Sequence, residues 1–383
     1  MFNTLRETVG SENVSQKEAD KVAYSSDAST IRGKADTIIW PNNLEDVRQA
    51  IAYAKRHRLN LVPRGAGTGL AGGAVPQNSV VLDLCKMNRF GIKGDKAIAE
   101  PGVVLDDLNS ASEYILPVVP GSHSVCTIGG MIAANASGMR CFKYGKMIDW
   151  IEELHVIDGT GKMMKIRGEK IKNFCGLEGT TGIVVRARLK LAKLPEQRSM
   201  SLLRFDSITH LVEKLHSLKK DNIIALEYAD KYCSNLVGLG DFNHLIIEYE
   251  GDGGEIKGEK MKELWKKRDN MYTSVASRGY SVVEDPQIPL ESIDKFLYWL
   301  QKSDIPTYGH IGVGIIHPHF RDHKSNLIKE MFVVVKKLKG NVSGEHGIGL
   351  LKKEYLDAEY VNNFKKIKEV YDPNNVLNRG KII

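Results

Sequence analysis

The sequence has few cysteines, no long apolar run and no signal peptide pattern. Its five cysteines include no Cys-x-x-Cys pair, which argues against an iron–sulfur cluster or a zinc–thiolate site within the chain. No apolar run approaches the ~20 residues of a membrane-spanning helix, and the segment from Met1 to Glu7 lacks the apolar core of a signal peptide. We therefore expect a cytoplasmic protein with reduced, buried thiols. Peripheral association with a membrane stays open.

The chain also has little excess charge. A net charge of +7 over 383 residues is modest, and the basic residues are scattered without interleaved aromatic residues, which argues against a nucleic-acid-binding surface. The hydrophobic content of 42% and charged content of 26% are those of a globular protein. The length predicts two domains, or one domain with a large insertion. The sequence leaves a homodimer open.

A glycine-dense loop dominates the first half. Five of the eleven residues from Pro63 to Gly73 are glycine, after an apolar, strand-like run from Leu59 to Val62. Backbone N–H groups of such a loop can close on a diphosphate. Its Gly-x-Gly-x-x-Gly spacing resembles a Rossmann fingerprint, but Ala74 to Asn78 includes Pro76 and cannot open the helix that the fingerprint needs. We reject a Rossmann fold and expect a phosphate-binding loop; a flexible linker is the less favoured alternative.

The remaining patterns predict an α+β protein. Asp36 to Trp40 reads as a strand, and Asn43 caps a helix that leads to the loop strand, which makes a β-α-β unit. Val104 to Tyr114 is predicted to be helical, and Asp158-Gly159 to turn a hairpin. After Leu194-Pro195, strand-like and helix-like runs alternate, which predicts helices on one face of an antiparallel sheet. One helix is expected from Glu259 to Ser277. We divide the chain into residues 1–195, 196–350 and 351–383.

Two further regions are rich in small residues. The first runs from Pro120-Gly121-Ser122 through Thr127-Ile128-Gly129-Gly130 to Ala133 and Gly138, and the second from Gly176 to Gly182. Small residues at this density indicate a backbone packed closely against a planar ligand or a neighbouring helix.

Two stretches of the second half carry candidate catalytic residues. Gly309-His310 and His317 flank glycines that exclude a helix, so a bend can bring both imidazoles together. Ser343-Gly344-Glu345-His346 supplies a carboxylate and a further imidazole, which point opposite ways on an extended chain. His310, His317 and Glu345 form an open ligand set for Zn²⁺, Mn²⁺ or Fe²⁺, and His346 could be a general base. Taken singly, each residue is more easily explained as structural.

Arg268 is a candidate anchor for a substrate carboxylate. Its guanidinium could hold a carboxylate through two parallel hydrogen bonds. The residue lies in the charged segment Leu264 to Asp269, so the alternative is a side chain that faces water.

Together these motifs resemble the flavoenzyme family of vanillyl-alcohol oxidase and p-cresol methylhydroxylase. The branch with D-lactate dehydrogenase, D-2-hydroxyglutarate dehydrogenase and a subunit of glycolate oxidase fits best, and the resemblance covers Asp36 to Lys381. It implies a two-subdomain FAD-binding domain of the PCMH type, a ferredoxin-like α+β cap domain and a C-terminal segment that returns to the FAD domain. It implies FAD contacts at Pro63, Arg64, Gly65, Ala66, Gly67, Thr68, Gly69, Leu70, Pro120, Gly121, Ser122, Thr127, Gly129, Gly130, Ala133, Asn135, Gly138, Glu178, Gly179, Gly182, Ile183, Val184 and Asn378.

The resemblance also implies an activity. The expected reaction is oxidation of a small D-2-hydroxy acid to the 2-oxo acid, with hydride transfer to flavin N5 and His346 as the base. The implied metal ligands are His310, His317 and Glu345, and Arg268 is the implied carboxylate anchor. Relatives with covalent FAD carry a histidine where this chain has Thr68, so non-covalent FAD is expected.

Two positions depart from the family pattern. Val313 and Ile315 stand where relatives have Asp and Asn, which removes two polar groups near the metal motif. One alternative is therefore an FAD-carrying electron-transfer or regulatory subunit without its own turnover, working with an iron–sulfur partner. Another is a metal-independent flavoenzyme acting on alcohols or phenols.

Overall fold

The computed structural model describes residues 3–383, with side chains described from Leu5 onward. The first of three sheets has the strand order β1-β2-β4-β3, and its last three strands are parallel. Its strands are β1 (Val14–Ser15), β2 (Lys34–Ile39), β3 (Leu61–Arg64) and β4 (Gln77–Asp83), and its helices are α1 (Asn3–Val9), α2 (Glu18–Ala23) and α3 (Leu44–His57). The Asn43 side chain accepts hydrogen bonds from the N–H groups of Glu45 and Asp46. The predicted β-α-β unit and its cap are confirmed.

The glycine-dense loop joins β3 directly to β4, its parallel neighbour. Residues 65–76 form bends and turns and contain no helix, so the rejection of a Rossmann fold is confirmed. Gly67 and Gly72 have φ values of 71° and 78°, a region that side-chain-bearing residues rarely adopt.

The second sheet is antiparallel, with the order β5-β6-β9-β7-β8. Its strands are β5 (Phe90–Lys93), β6 (Lys96–Ala99), β7 (Ile151–Asp158), β8 (Met163–Ile166) and β9 (Gly182–Lys190), and its helices are α4 (Leu105–Ser110), α5 (Ile128–Ala134) and α6 (Cys141–Tyr144). The hairpin at Asp158-Gly159 is confirmed. Helix α4 ends at Ser110, four residues before the predicted Tyr114, and the Asn109 amide in its last turn bonds both backbone groups of Leu116.

The third sheet is antiparallel and has six strands in the order β10-β12-β11-β14-β15-β13. Its strands are β10 (Arg198–Phe205), β11 (Ile223–Ala229), β12 (Asn243–Glu250), β13 (Val282–Val283), β14 (Thr307–His310) and β15 (Ile315–Phe320). Its helices are α7 (Ile208–Ser217), α8 (Lys231–Leu236), α9 (Glu259–Asp269), α10 (Met271–Ala276), α11 (Ile293–Lys302) and α12 (Asn326–Lys337).

Two expectations for this region are wrong. Helices cover both faces of the sheet, since Leu226 and Tyr228 pack with α7, α11 and α12, whereas Ala225 and Ala229 pack with α8, α9 and α10. All seven residues of β11 are buried as a result. The single helix expected from Glu259 to Ser277 is divided at Asn270 into α9 and α10, although the Asn270 N–H still donates to the Lys266 carbonyl and its own carbonyl accepts from the Ser274 N–H.

The end of the chain returns to the first sheet. Helix α13 (Ala358–Tyr371) is followed by a segment whose backbone pairs with Leu61 on β3. The Leu61 N–H donates to the Val376 carbonyl at 2.8 Å, and the Asn378 N–H donates to the Leu61 carbonyl at 2.8 Å. None of the described helices is both long and apolar enough to cross a bilayer.

Candidate active site

One cavity of about 800 Å³ lies between the first two sheets and the third. One wall comes from residues 63–74, 120–139 and 178–184, and we call it the glycine wall. The opposite wall comes from α9, α10 and the strands β13 to β15, with Glu345 and His346, and we call it the charged wall. The cavity therefore brings together the motifs that the sequence singled out in its two halves.

Of the residues predicted to contact a cofactor, all but two line this cavity. Those in place are Pro63, Arg64, Gly65, Ala66, Gly67, Thr68, Gly69, Leu70, Pro120, Gly121, Ser122, Thr127, Gly129, Gly130, Ala133, Gly138, Glu178, Gly179, Gly182, Ile183 and Val184. Tight packing explains some of the small residues: a Cβ on Gly138 would lie 2.2 Å from the Val119 carbonyl oxygen. A Cβ on Gly121 would meet no atom within 4 Å, so the backbone there is open to a ligand.

Asn135 and Asn378 are the two predicted residues that do not line the cavity. Asn135 ends α5 in the left-handed region, with its side-chain oxygen accepting the Ile148 N–H at 3.0 Å. The Asn378 amide donates to the carbonyls of Gly73 and Glu178 at 3.0 and 2.8 Å. The Asn378 side chain thus links two loops that line the cavity, and the Asn135 side chain links the end of α5 to Ile148.

The β14–β15 hairpin brings the two predicted histidine ligands together. Tyr308 pairs with His317 across the hairpin, so these two side chains lie on the same face of the sheet. His310 lies two residues after Tyr308 on β14 and therefore shares that face, and the His310 and His317 ring centroids are 5.1 Å apart. Glu345 Oε1 lies 3.5 Å from His310 Nε2 and 3.2 Å from His317 Nε2. One ligand atom from each residue lies within 4.8 Å of the others. This arrangement has the donor types and spacing of a divalent metal site.

Glu345 and His346 both line the cavity, so the expectation that they point opposite ways is wrong. The His346 ring stacks on His317, with centroids 5.2 Å apart and an interplanar angle of 11°. Its Nε2 lies 3.7 Å from Glu345 Oε1. The chain is not extended here, because successive N–H groups of Gly344, Glu345 and His346 all donate to Asp285 Oδ2, at 3.0, 2.6 and 2.7 Å.

Asp285 is fully buried and organises this loop. Besides the three backbone groups, it accepts a hydrogen bond from the Ser343 hydroxyl and binds the ammonium group of Lys352. Its Oδ1 lies 3.7 Å from His346 Nδ1. Burial raises the pKa of Asp285, but His346 and Lys352 outweigh burial and hold the pKa at about 2. Asp285 is therefore a carboxylate at neutral pH.

Glu178 attaches the same loop to the glycine wall. Its Oε1 accepts hydrogen bonds from the N–H groups of Ile348 and Gly349, at 2.6 and 2.9 Å. Its second oxygen is buried without a hydrogen-bond partner among the described residues. The loop that carries Glu345 and His346 is thus held by two carboxylates, Asp285 and Glu178, of which Glu178 belongs to the glycine wall.

Arg268 is buried and lines the cavity, so it does not face water. Its Nε and Nη2 donate to Glu227 Oε2 at 2.8 and 2.6 Å, and its guanidinium stacks over Tyr308. This edge of the guanidinium is therefore already paired, which leaves Nη1 for a further ligand. A two-point clamp on a substrate carboxylate through Nε and Nη2 is therefore not available, and any further contact of Arg268 would use Nη1.

Electrostatics favour a positive charge between the two imidazoles. Burial alone would lower the pKa of His310, but Glu227 and Glu345 raise it well above its usual value. Burial would raise the pKa of Glu345, but His310 and His317 hold it well below its usual range. A metal cation bound in place of the proton on His310 would be attracted by the same two carboxylates, those of Glu227 and Glu345. Burial lowers the pKa of His346 to about 4, so this imidazole is neutral near pH 7.

Two family models match the chain. One, described as an FAD binding domain, matches residues 35–167, and the other, the C-terminal domain of FAD linked oxidases, matches residues 255–382. The chain belongs to the FAD-linked oxidases. It is an FAD-linked oxidoreductase with the PCMH-type FAD-binding domain, and its glycine wall falls largely in the first match and its charged wall largely in the second.

Curated relatives of this flavoprotein match over almost their whole length. Glycolate oxidase subunit GlcD of Bacillus subtilis (strain 168) is 28% identical, with 99% of this chain and 95% of the relative covered. D-2-hydroxyglutarate dehydrogenase of Stutzerimonas stutzeri (strain A1501) is 27% identical, covering 95% and 96%. D-lactate dehydrogenase of Archaeoglobus fulgidus is 28% identical, covering 90% and 91%. A solved structure of alkyldihydroxyacetonephosphate synthase shares the fold, with a TM-score of 0.70, 15% identity and coverage of 99% and 86%.

The two departures from the family pattern do not line the cavity of this flavoprotein. Ile315 is fully buried and packs under Gly344, where a Cβ would lie 2.6 Å from its side chain. The Val313 carbonyl accepts a hydrogen bond from Gln287 at 3.0 Å. The Ile315 side chain therefore supports the loop of Glu345 and His346.

Sequence reasoning missed Glu227, Asp285, Lys352 and the bridging role of Glu178. For Glu227 a signal was present, since it is the one acidic residue in the otherwise apolar run from Ile223 to Tyr228. An acid in a strand buried on both faces needs a partner. Asp285 and Lys352 gave no comparable signal, because their partners lie far away along the chain.

Proposed function

We propose that this flavoprotein oxidises a small D-2-hydroxy acid to the corresponding 2-oxo acid. The observation that carries the proposal is the convergence of His310, His317, Glu345, His346 and Arg268 on one wall of the cavity that the FAD-binding loops complete. The names of the relatives support this substrate class, since they include D-lactate and D-2-hydroxyglutarate dehydrogenases.

The residues present fit both cofactors. Gly121 leaves backbone open to FAD, and the cationic Arg64 lines the glycine wall beside Gly67. His310, His317 and Glu345 would hold a divalent ion through two nitrogens and one oxygen. When bound, non-covalent FAD supplies the two-electron acceptor, and the ion supplies Lewis acidity for the hydroxyl and carboxylate oxygens of the substrate.

The protein residues then have three tasks. Arg268 uses Nη1 to orient the substrate carboxylate. His346 takes up the hydroxyl proton at Nε2, the nitrogen on the Glu345 side, and its neutral state at pH 7 leaves it able to do so. Asp285 holds the backbone of His346 so that its ring remains stacked on His317.

The test uses purified protein loaded with FAD and with Zn²⁺, Mn²⁺ or Fe²⁺. Anaerobic mixing with D-lactate, glycolate and D-2-hydroxyglutarate should bleach the flavin absorbance, with the L-isomers as controls. We expect chelation of the metal to abolish bleaching while FAD stays bound. Bleaching that survives complete chelation would instead favour a metal-independent oxidation of alcohols or phenols.

A second candidate function is an FAD-carrying subunit that transfers electrons without its own turnover. The observation that favours it is that one relative is named as a subunit of glycolate oxidase. An iron–sulfur protein is the partner class that we propose, because the chain has no cluster-binding cysteine motif. Failure of every D-hydroxy acid to bleach the flavin, with FAD and metal demonstrably bound, would support this function.

A further inference from the structure

A single buried carboxylate joins the candidate metal site to the candidate substrate anchor. Glu227 lies on β11 and is 0% exposed. Its Oε1 lies 2.7 Å from His310 Nδ1, and its Oε2 lies 2.8 and 2.6 Å from Nε and Nη2 of Arg268. Each oxygen is therefore used by a different functional residue.

The contact with His310 fixes which nitrogen faces the ligand cluster. With Nδ1 donating to Glu227, Nε2 is the nitrogen directed at Glu345, 3.5 Å away. A carboxylate behind a ligating histidine fixes the ring and its tautomer and makes it a better ligand. The contact with Arg268 acts in the same way on the candidate substrate anchor, because it holds the guanidinium over the Tyr308 ring, with Cζ 4.5 Å from the ring centroid.

We propose that Glu227 is a positioning residue that sets both the metal affinity of His310 and the orientation of Arg268. This inference rests on the proposed function, because it assigns Glu227 a role toward the same metal and the same substrate carboxylate. It predicts that the effect on metal affinity and the effect on substrate binding can be separated by substitutions that keep or remove one carboxylate oxygen of Glu227.

The neighbouring strand offers a matched control. Glu248 on β12 is also 0% exposed and also pairs with two cationic groups, Arg140 at 2.8 Å and Arg198 at 2.7 Å. It does not line the cavity. Substitution of Glu248 therefore reports the cost of disturbing a buried carboxylate in this sheet without touching the site.

The experiment compares Glu227→Ala, Glu227→Gln, Glu248→Ala and Glu248→Gln in FAD-loaded protein. Zn²⁺ affinity is measured by competition with a chromophoric chelator, without substrate, and the flavin spectrum reports folding. We expect Glu227→Ala to weaken Zn²⁺ binding about 10- to 100-fold. Glu227→Gln keeps an acceptor oxygen for His310, so its Zn²⁺ affinity should stay within about threefold of wild type. Both Glu248 variants should bind Zn²⁺ as the wild type does.

Steady-state kinetics with D-lactate test the effect of Glu227 on the orientation of Arg268. The amide of Glu227→Gln cannot accept from Arg268 once its oxygen serves His310, so KM should rise about tenfold while kcat changes less than threefold. Wild-type Zn²⁺ affinity in Glu227→Ala, or an equal loss in the Glu248 variants, would overturn the inference alone. A wild-type protein that binds no Zn²⁺ would overturn the metal site of the proposed function together with it.

Discussion

The glycine wall and the charged wall of the cavity are stabilised by different interactions. The glycine wall depends on close backbone packing, as at Gly138 against the Val119 carbonyl. The charged wall depends on buried carboxylates, in which Glu227 and Asp285 each pair with a cation and a histidine. A change of side-chain volume should therefore affect the first wall, and a change of charge the second. Three substitutions test this difference, from the largest expected effect to the smallest, and a pH experiment on a buried histidine outside both walls follows them.

Replacing His346 by alanine tests whether the charged wall carries the chemistry. The rate of flavin reduction by D-hydroxy acid should fall about 10²- to 10⁴-fold, the usual loss of a general base. FAD content and Zn²⁺ affinity should remain as in wild type, measured by absorbance and chelator competition. The control is His244→Ala, which removes a buried histidine outside the cavity. A wild-type reduction rate in His346→Ala would exclude the proposed base.

Replacing Asp285 by alanine tests whether charge also holds that wall together. Removal of one partner leaves Lys352 and three N–H groups without their buried acceptor, so the free energy of unfolding should fall by about 3–5 kcal/mol. Urea denaturation followed by tryptophan fluorescence measures the loss. Asp252→Ala removes an exposed ion pair with Lys257 and should cost less than about 1 kcal/mol. Equal losses in both variants would contradict the role given to Asp285.

Replacing Gly67 by valine tests the volume dependence of the glycine wall. Gly67 has a φ of 71°, and a Cβ there would lie 2.2 Å from Arg64 Nη2. The strain is of the order of 1–3 kcal/mol, so FAD affinity should fall about 10- to 100-fold in a fluorescence titration of the apoprotein. Gly91→Val is the control, because a Cβ at Gly91 meets no atom within 4 Å. Unchanged FAD affinity in Gly67→Val would count against the proposed contact.

The pH dependence of unfolding tests a buried titratable group outside the cavity, His244, for comparison with the charged wall. Burial lowers the pKa of His244 to about 4 from an ordinary value of 6.5. The unfolded chain takes up this proton below about pH 6.5, whereas the folded chain resists it until about pH 4. The free energy of unfolding therefore keeps its full value from this group above pH 6.5. It falls by about 1–3 kcal/mol as the pH drops from 6.5 toward 4. His244→Gln should flatten that part of the pH–stability curve; an unchanged slope would contradict the assignment.

The two walls also differ in how much of them could be predicted from the sequence. The glycine wall was predictable because a required positive φ or a close approach restricts the residue type, as at Gly67 and Gly138. The histidines were predictable from the glycines around them. Their carboxylate partners were not, because Glu227 meets His310 across 83 positions of the chain. The burial of Arg268 depends on that same distant pairing.

The return of the chain to β3 has a consequence for biosynthesis. Leu61 obtains both of its backbone partners from residues 376–378, and the Arg379 N–H donates to the Asn60 side chain. On the ribosome, the outer edge of β3 thus remains unpaired while more than three hundred intervening positions are translated. Complete pairing of the β1-β2-β4-β3 sheet then awaits emergence of this segment.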